Sequence, residues 1–212
     1  MGSSSREANK MEYKGAILYD EGDVYEGHCH EGVQNGTGRR IYHDGGLYEG
    51  SFEGGSASGH GMYEFPRGER YEGNWLKGQR EGHGKEEYKS GSVYVGEYQG
   101  NKKEGKGTYT YSSKLKYDGT FKDGAPNGQG NLYGPDDKLV YSGEWMNGQR
   151  HGKGKLYEPD GTTYEGEFKE DAQHGRGILR RYEGTLLNSP DGAQLDGIWE
   201  NDNFVRPSTE QS

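Results

Sequence analysis

The segment at residues 100–107, Gly-Asn-Lys-Lys-Glu-Gly-Lys-Gly, is the part of the chain closest to a catalytic motif. It matches the phosphate-binding loop pattern GxxxxGK[ST] at every position except the last. Gly107 stands where that loop needs a Ser or Thr hydroxyl to bind Mg²⁺. Related segments recur at regular intervals along the chain, and the other copies lack the motif. We therefore interpret this segment as one copy of a sequence repeat and not as a nucleotide-binding site.

The histidines and carboxylates are the next candidates, as metal ligands or acid–base groups. His60 and His83 occupy equivalent positions in successive copies of the repeat, as do His151 and His174. Equivalent positions of neighbouring copies would lie about 10 Å apart on a sheet, too far to share a zinc ion with bonds of ~2.1 Å. No carboxylate lies in an apolar segment that would raise its pKa for acid–base work. The sequence therefore predicts no catalytic residue, no metal site and no cofactor.

A tyrosine–x–glycine step returns at a constant interval along most of the chain. The clear copies begin at Tyr25, Tyr48, Tyr71, Tyr94, Tyr117, Tyr141 and Tyr164, with one extra residue before Tyr141. A degenerate eighth copy begins at Leu195. Four places after the start of each step comes an apolar and usually aromatic residue: Cys29, Phe52, Trp75, Tyr98, Phe121, Trp145, Phe168 and Trp199. A Gly-x-Gly pair begins eleven places after each of the tyrosines. A fixed period of this size indicates a repeat array.

Within one repeat, the alternation of side chains predicts a β-hairpin. Tyr71, Gly73 and Trp75 would share one face of a strand, and Glu72 and Asn74 the other. Gly78 marks a turn, and residues 82–88 form the predicted returning strand. We therefore predict an all-β fold: an elongated single-layer antiparallel meander of about eight 23-residue hairpins, curved into a groove. Gly73 and its equivalents would leave notches in which a ring from the neighbouring strand lies flat.

The predicted organisation has three parts. A flexible leader occupies residues 1–12, the repeat array residues 13–200 with an insertion near 181–189, and a C-terminal tail residues 201–212. Residues 1–6 lack the Ser or Thr that an N-myristoylation signal carries at position 6, so we interpret them as part of a polar leader.

Composition narrows the function classes. Only 27% of residues are hydrophobic and 40 are glycine, so the core must be built from rings packed over glycine. The net charge of −9 disfavours nucleic acid and anionic membrane surfaces. The single cysteine, Cys29, excludes an internal disulfide and fits a reducing compartment. No apolar run approaches the ~18 residues of a membrane span.

The repeat over residues 15–200 resembles the MORN repeat (membrane occupation and recognition nexus), with its tyrosine–x–glycine–x–aromatic step followed by Gly-x-Gly. The resemblance implies a scaffold or binding module, since enzymatic family members carry catalysis in a separate domain. It therefore implies that this chain is not an enzyme. Departures from the pattern are Cys29 at an aromatic position, and Asn101, Lys114 and Asp171 at turn glycines.

Two roles remain open for the rings of the predicted groove. They would line a partner-binding surface, or they would only hold the sheet together. The candidate partner-binding residues are Trp75, Tyr98, Phe121, Trp145 and Phe168. We expect a protein of a larger assembly to bind along this groove or at an array end; a second copy of the chain is another possible partner. The alternative is a phospholipid-binding, membrane-associated adaptor, which the acidic charge disfavours. The resemblance to stand-alone MORN arrays implies a cytoplasmic protein of the cilium or flagellum axoneme, including radial spokes, or of another cytoskeletal scaffold.

Overall fold

The computed structural model describes residues 12–181 and 194–208, in which all regular secondary structure is β-strand. The described residues fall into two compact units. The first extends to Gly91 and includes Tyr98–Asn101; the second comprises Ser92–Glu97 and the residues from Lys102 onward. The predicted leader and the predicted insertion near 181–189 lie outside the described residues, apart from Glu12 and Arg181.

The first unit is an antiparallel meander in which each strand pairs with the next along the chain. Its strands are β1 (Glu12–Leu18), β2 (Val24–His30), β3 (Val33–Ile41), β4 (Leu47–Glu53), β5 (Ser56–Glu64), β6 (Arg70–Leu76) and β7 (Gln79–Glu87). Strand β8 (Val93–Gln99) contributes residues to both units.

The second unit repeats this arrangement from β9 to β17. Its strands are β9 (Lys102–Thr110), β10 (Lys116–Lys122), β11 (Ala125–Tyr133), β12 (Leu139–Met146), β13 (Gln149–Tyr157), β14 (Thr163–Lys169), β15 (Ala172–Arg180), β16 (Gln194–Glu200) and β17 (Asn203–Pro207). The prediction of an all-β meander of hairpins is confirmed. The predicted tail at 201–212 differs from the structure, because residues 203–207 form β17 and complete the last hairpin with β16.

A β-bulge in the hairpin explains the first glycine of the Gly-x-Gly pair. Between β2 and β3, Gly27 lies opposite Gly38 and Cys29 opposite Gln34, so β3 carries extra residues between these pairs. Gly36, inside the bulge, has a φ of 88°, which side chains rarely adopt. The Tyr25 hydroxyl donates a hydrogen bond to the carbonyl of His28 at 2.7 Å. The other six repeat tyrosines make the same bond three residues on, at 2.8–3.1 Å.

The second glycine of the pair makes room for the tyrosine ring of its own hairpin. A Cβ added at Gly84 would collide with the ring and hydroxyl of Tyr71. A Cβ at Gly73 would lie 2.5 Å from the Cα of Gly84. The notch therefore exists as predicted, but it is filled by the ring of Tyr71, which lies two residues before Gly73 on the same strand. The sequence had led us to expect a ring from the neighbouring strand.

The turns form hydrogen bonds between consecutive repeats, and two residues that replace turn glycines contribute to these bonds. Asn101 and Asp171 have φ values of 70° and 72°, in the left-handed region that Asn and Asp tolerate. The backbone N–H of Asn101 donates to the Arg80 carbonyl, and the Arg80 N–H donates back to the Asn101 side chain at 2.9 Å. Asp171 makes the equivalent pair of bonds with Arg150. The polar side chain thus adds a bond that glycine lacks.

Candidate protein-binding site

The aromatic residues of each unit form a ladder of edge-to-face contacts. A repeat tyrosine contacts the ring four places later in its own repeat and the corresponding ring of the next repeat. In the first unit, Tyr48 lies 5.0 Å from Phe52 and 5.3 Å from Trp75, measured between ring centroids. In the second unit, Tyr141 lies 5.3 Å from Trp145 and 5.1 Å from Phe168. This is the preferred packing of aromatic pairs, worth about 0.5–1.5 kcal/mol each beyond the buried area.

Four of the five predicted binding residues are buried in this ladder. Tyr98 is 3%, Phe121 4%, Trp145 9% and Phe168 3% exposed. Trp75 differs, because it is only half-buried. The rings therefore hold the sheet together, which was one of the two roles left open. Their role in binding a partner stays a prediction, and Trp75 is the one of the five whose side chain is partly accessible.

A residue of the returning strand lies opposite the second ring of its own repeat, and at Arg80 and Arg150 its side chain reaches over the second ring of the next repeat. We call the place of this residue the covering position. Its occupants include, with the residues opposite them in parentheses, Gln34 (Cys29), Ala57 (Phe52), Arg80 (Trp75), Pro126 (Phe121), Arg150 (Trp145) and Gln173 (Phe168). Ala57 is the smallest of these residues and was not among the predicted site residues. The signal was present in the sequence, as a small residue at a repeat position that is otherwise filled by larger side chains.

The arginines at the covering position lie over rings of two neighbouring repeats. The guanidinium carbon of Arg80 is 5.5 Å from the Tyr71 centroid and 5.1 Å from the Tyr98 centroid. That of Arg150 is 5.8 Å from Tyr141 and 5.4 Å from Phe168. These distances are typical of cation–π contacts.

At Ala57 the covering side chain ends at Cβ, and an open cavity of about 500 Å³ lies on the aromatic face of the first unit. We call this cavity the Ala57 notch. Its main lining residues are Tyr42, Tyr48, Tyr63, Phe65, Trp75 and Gly78, with Arg40 and Arg80 also in the lining. The Trp75 ring lies edge-on to Tyr48, and its Nε1 donates to the Gly61 carbonyl at 3.1 Å. The ring is thus held in place while part of its surface remains accessible.

Both arginines at the notch are paired with buried carboxylates. Arg40 donates to Asp23 through Nη2 at 2.6 Å and Nε at 3.0 Å. The backbone N–H of His43, with help from Arg40, lowers the pKa of Asp23 to about 2. Arg80 donates to Glu86 at 2.6 Å, and the Tyr98 hydroxyl also donates to Glu86 at 2.9 Å. The two positive charges are therefore compensated within the fold.

The opposite face of the sheet carries acidic and basic side chains in alternation. A hollow of about 610 Å³ in the first unit is lined by Glu26, Arg39, Glu49, His60, Arg70 and Glu72, among others. A second hollow, of about 700 Å³ in the second unit, includes Lys155 and Glu165, whose charged atoms are 3.2 Å apart. Residues 12–181 and 194–208 contain no group of three or more His, Cys, Asp or Glu side chains placed to hold a metal ion. Such mixed charges suit a solvated face that helps to fix strand register.

No helix within residues 12–181 or 194–208 has the length and apolarity that crossing a membrane requires.

The meander, its ring ladder and its glycine pattern define a β-hairpin repeat protein. The chain belongs to the MORN repeat family: the family model matches residues 25–47, 48–70, 71–93, 94–115, 117–138, 141–163 and 164–186. No curated protein matches the chain.

Among solved structures, the chain is similar to the TCP domain of Drosophila melanogaster SAS-4 (dCPAP) in complex with a proline-rich motif of Ana2 (dSTIL). The identity is 13%, the TM-score 0.38, and the match covers 94% of this chain and 96% of that chain. The wild-type TCP10 domain of Danio rerio CPAP matches at 9% identity and a TM-score of 0.27, covering 79% of this chain and 88% of that chain. Similarities at this level carry no argument about function.

Proposed function

We propose that the chain is a non-catalytic scaffold that binds a partner protein on the aromatic face of its repeats. The observation that supports this most directly is the Ala57 notch, where rings that are covered elsewhere present accessible surface around the half-buried Trp75. Rigid aromatic side chains in a concave surface are the usual anchors of protein interfaces. Grooves lined by aromatic rings are also a recurring docking site for extended peptide segments of preformed conformation.

The assembly that would contain this scaffold is a ciliary, axonemal or other cytoskeletal one. This part of the proposal rests on the resemblance to stand-alone MORN arrays. It is tested by tagging the protein in ciliated cells and asking whether the tag is retained on detergent-extracted axonemes or cytoskeletons. Complete release with the soluble fraction would contradict it.

The binding surface is tested with a pair of matched variants. Phe65→Ala removes a half-buried ring from the rim of the notch, and Tyr111→Ala removes the ring at the same repeat position two repeats later. Both rings lie outside the core of repeat tyrosines, so both variants are expected to fold, as far-UV circular dichroism would check. We expect proteins captured by the wild type, and cross-linked to the first unit, to be retained by Tyr111→Ala and lost with Phe65→Ala.

The phospholipid alternative is decided in the same experiment. Anionic vesicles are offered to the wild type beside the cell lysate, and the acidic chain is expected to leave them in the supernatant. Identical capture by both variants would remove the notch as the binding surface. Retention of vesicles together with no captured protein would favour the membrane-associated adaptor.

A further inference from the structure

Arginine at the covering position lies beside two rings, a turn carbonyl and a carboxylate in both units, the carboxylate being Glu86 for Arg80 and Asp171 for Arg150. The guanidinium of Arg80 lies over two rings of the ladder and donates from Nη2 to the Asn101 carbonyl, in the next turn, at 2.8 Å. Arg150 lies over its two rings in the same way and donates from Nη2 to the Asp171 carbonyl at 2.5 Å. The fold thus contains two examples of a binding place for one guanidinium group, each filled by the protein's own side chain.

The two rings and the turn residue have counterparts at the Ala57 notch, one repeat before Arg80. Tyr48 and Trp75 are the counterparts of Tyr71 and Tyr98 in the preceding repeat, and Gly78 is the counterpart of Asn101. All three of these counterparts line the notch. Tyr48 and Trp75 keep the edge-to-face contact that Tyr71 and Tyr98 make. The notch differs in its covering side chain, which alanine leaves without a guanidinium, and in Tyr63 and Gly78, which stand where the next repeat has Glu86 and Asn101.

We propose that the Ala57 notch receives the guanidinium group of an arginine side chain from the partner protein. The guanidinium would lie over Tyr48 and Trp75 and donate to the Gly78 carbonyl, as Arg80 and Arg150 do at their own sites. This inference rests on the proposed function and specifies the chemistry of the partner at the notch. Arginine is preferred to lysine, because a planar guanidinium stacks on a ring and donates sideways at the same time.

The electrostatic surroundings permit this occupant. Arg40 and Arg80 flank the notch, but Asp23 and Glu86 already compensate them. Asp44 and the Tyr63 hydroxyl both lie close to Gly46. A Cβ added at Gly46 would collide with Tyr63 Oη and would lie 3.2 Å from Asp44 Oδ1. Tyr63 stands at the position that Glu86 occupies in the next repeat, and Asp44 lies outside the lining of the notch. The chain as a whole carries a net charge of −9.

The proposal is tested by the indole N–H resonances of the full-length protein in a nitrogen-15 correlation spectrum. The chain has three tryptophans, and Trp75→Phe identifies the resonance of Trp75. The probes are the capped tripeptide Gly-Arg-Gly and the same peptide with citrulline, a neutral isostere of arginine, or with lysine. We expect the arginine peptide to shift the Trp75 resonance saturably, with Trp145 and Trp199 unmoved. The citrulline and lysine peptides should bind at least several-fold more weakly.

A pair of arginine variants completes the experiment. Ala57→Arg fills the notch with the chain's own side chain and should abolish the shift while the protein stays folded. Gln173→Arg adds the same charge at the covering position of another repeat, and should bind the peptide like the wild type. If Ala57→Arg does not fold, the comparison of arginine with citrulline on the wild type still decides the question.

Three results would overturn the proposal: an unmoved Trp75 resonance, equal binding of citrulline or lysine, or an undiminished shift in folded Ala57→Arg. These failures are distinct from failure of the proposed function. If protein capture depends on Phe65 but the arginine peptide causes no shift, the scaffold proposal is supported and the arginine proposal is refuted. If the arginine peptide shifts the Trp75 resonance but no protein is captured, the arginine site is supported and the scaffold proposal is refuted.

Discussion

Replacing Gly73 with alanine should destabilise the sheet at a point where nothing can move aside easily. The added Cβ would lie 2.5 Å from the Cα of Gly84, 2.6 Å from the Tyr71 hydroxyl and 2.7 Å from the His83 carbonyl oxygen. Two of these three atoms belong to the backbone of the neighbouring strand. A rotamer change therefore cannot relieve the clash, and β6 and β7 must separate locally.

The size of the effect follows from this separation. Carbon atoms in contact lie about 3.5–4.0 Å apart, so the two strands must open by roughly 1 Å. Overpacking of this kind typically costs about 1–3 kcal/mol. Distortion of the adjacent ladder hydrogen bonds and of the bond from Tyr71 to the Asn74 carbonyl adds on the order of 1 kcal/mol. We expect a total of about 2–4 kcal/mol, equivalent to a lower Tm by about 4–16 °C for a chain of this length.

Two control variants separate the clash from other effects. Glu72→Ala changes the adjacent, exposed side chain and should alter stability by no more than about 0.5 kcal/mol. Gly78→Ala places a Cβ where no atom lies within 4 Å, but at a φ of 78°, so it should cost about 1–2 kcal/mol from backbone strain alone. The measurement is urea unfolding followed by tryptophan fluorescence and circular dichroism. Equal midpoints for Gly73→Ala and Glu72→Ala would refute the assignment of the two faces.

Three further predictions concern the hydroxyls and the turns. Tyr141→Phe removes the bond to the Glu144 carbonyl and should lower the free energy of unfolding by about 1–3 kcal/mol; an unchanged urea midpoint would show that water replaces the bond. Asp171→Ala loses the bond from the Arg150 N–H and places alanine at a φ of 72°, so it should cost about 2–3 kcal/mol. Asp171→Gly loses this bond and the 3.3 Å contact of the carboxylate with Arg150 Nε, but adds no backbone strain, so it should cost about 1 kcal/mol in the same unfolding assay; the reverse order of the two variants would contradict this account. Burial raises the pKa of three repeat tyrosines to about 12: Tyr25, Tyr71 and Tyr164. In the unfolded chain these tyrosines are exposed and have a pKa of ~10, so they lose their protons at a lower pH than in the folded chain. Their contribution to the free energy of unfolding is therefore fully present below about pH 10 and is lost as the pH rises toward 12. Each such tyrosine should contribute up to about 1.4 kcal/mol per pH unit; urea midpoints that stay constant across this range would contradict the prediction.

The hairpin meander was predictable because its signals are local. The two-residue alternation of Tyr71, Gly73 and Trp75 assigns the two faces of a strand, and the turn glycines set the hairpin length. The extension of the last hairpin to β17 was not predicted. Residues 203–207 lack the glycine pair, and their pairing becomes evident only from the structure, where Phe204 lies against Trp199 at 5.3 Å between centroids.

The sequence by itself determined the period, the all-β fold, the family and which rings share a face, because each depends on spacing along the chain. Only the tertiary structure decided which of those rings is accessible. Phe121, Trp145 and Trp75 occupy the same repeat position, yet the first two are buried and Trp75 is half-buried. The exposure of a ring depends on side chains that reach it from neighbouring strands and turns. At Trp75 the Ala57 side chain ends at Cβ, and the surface that results is a property of neighbours in space.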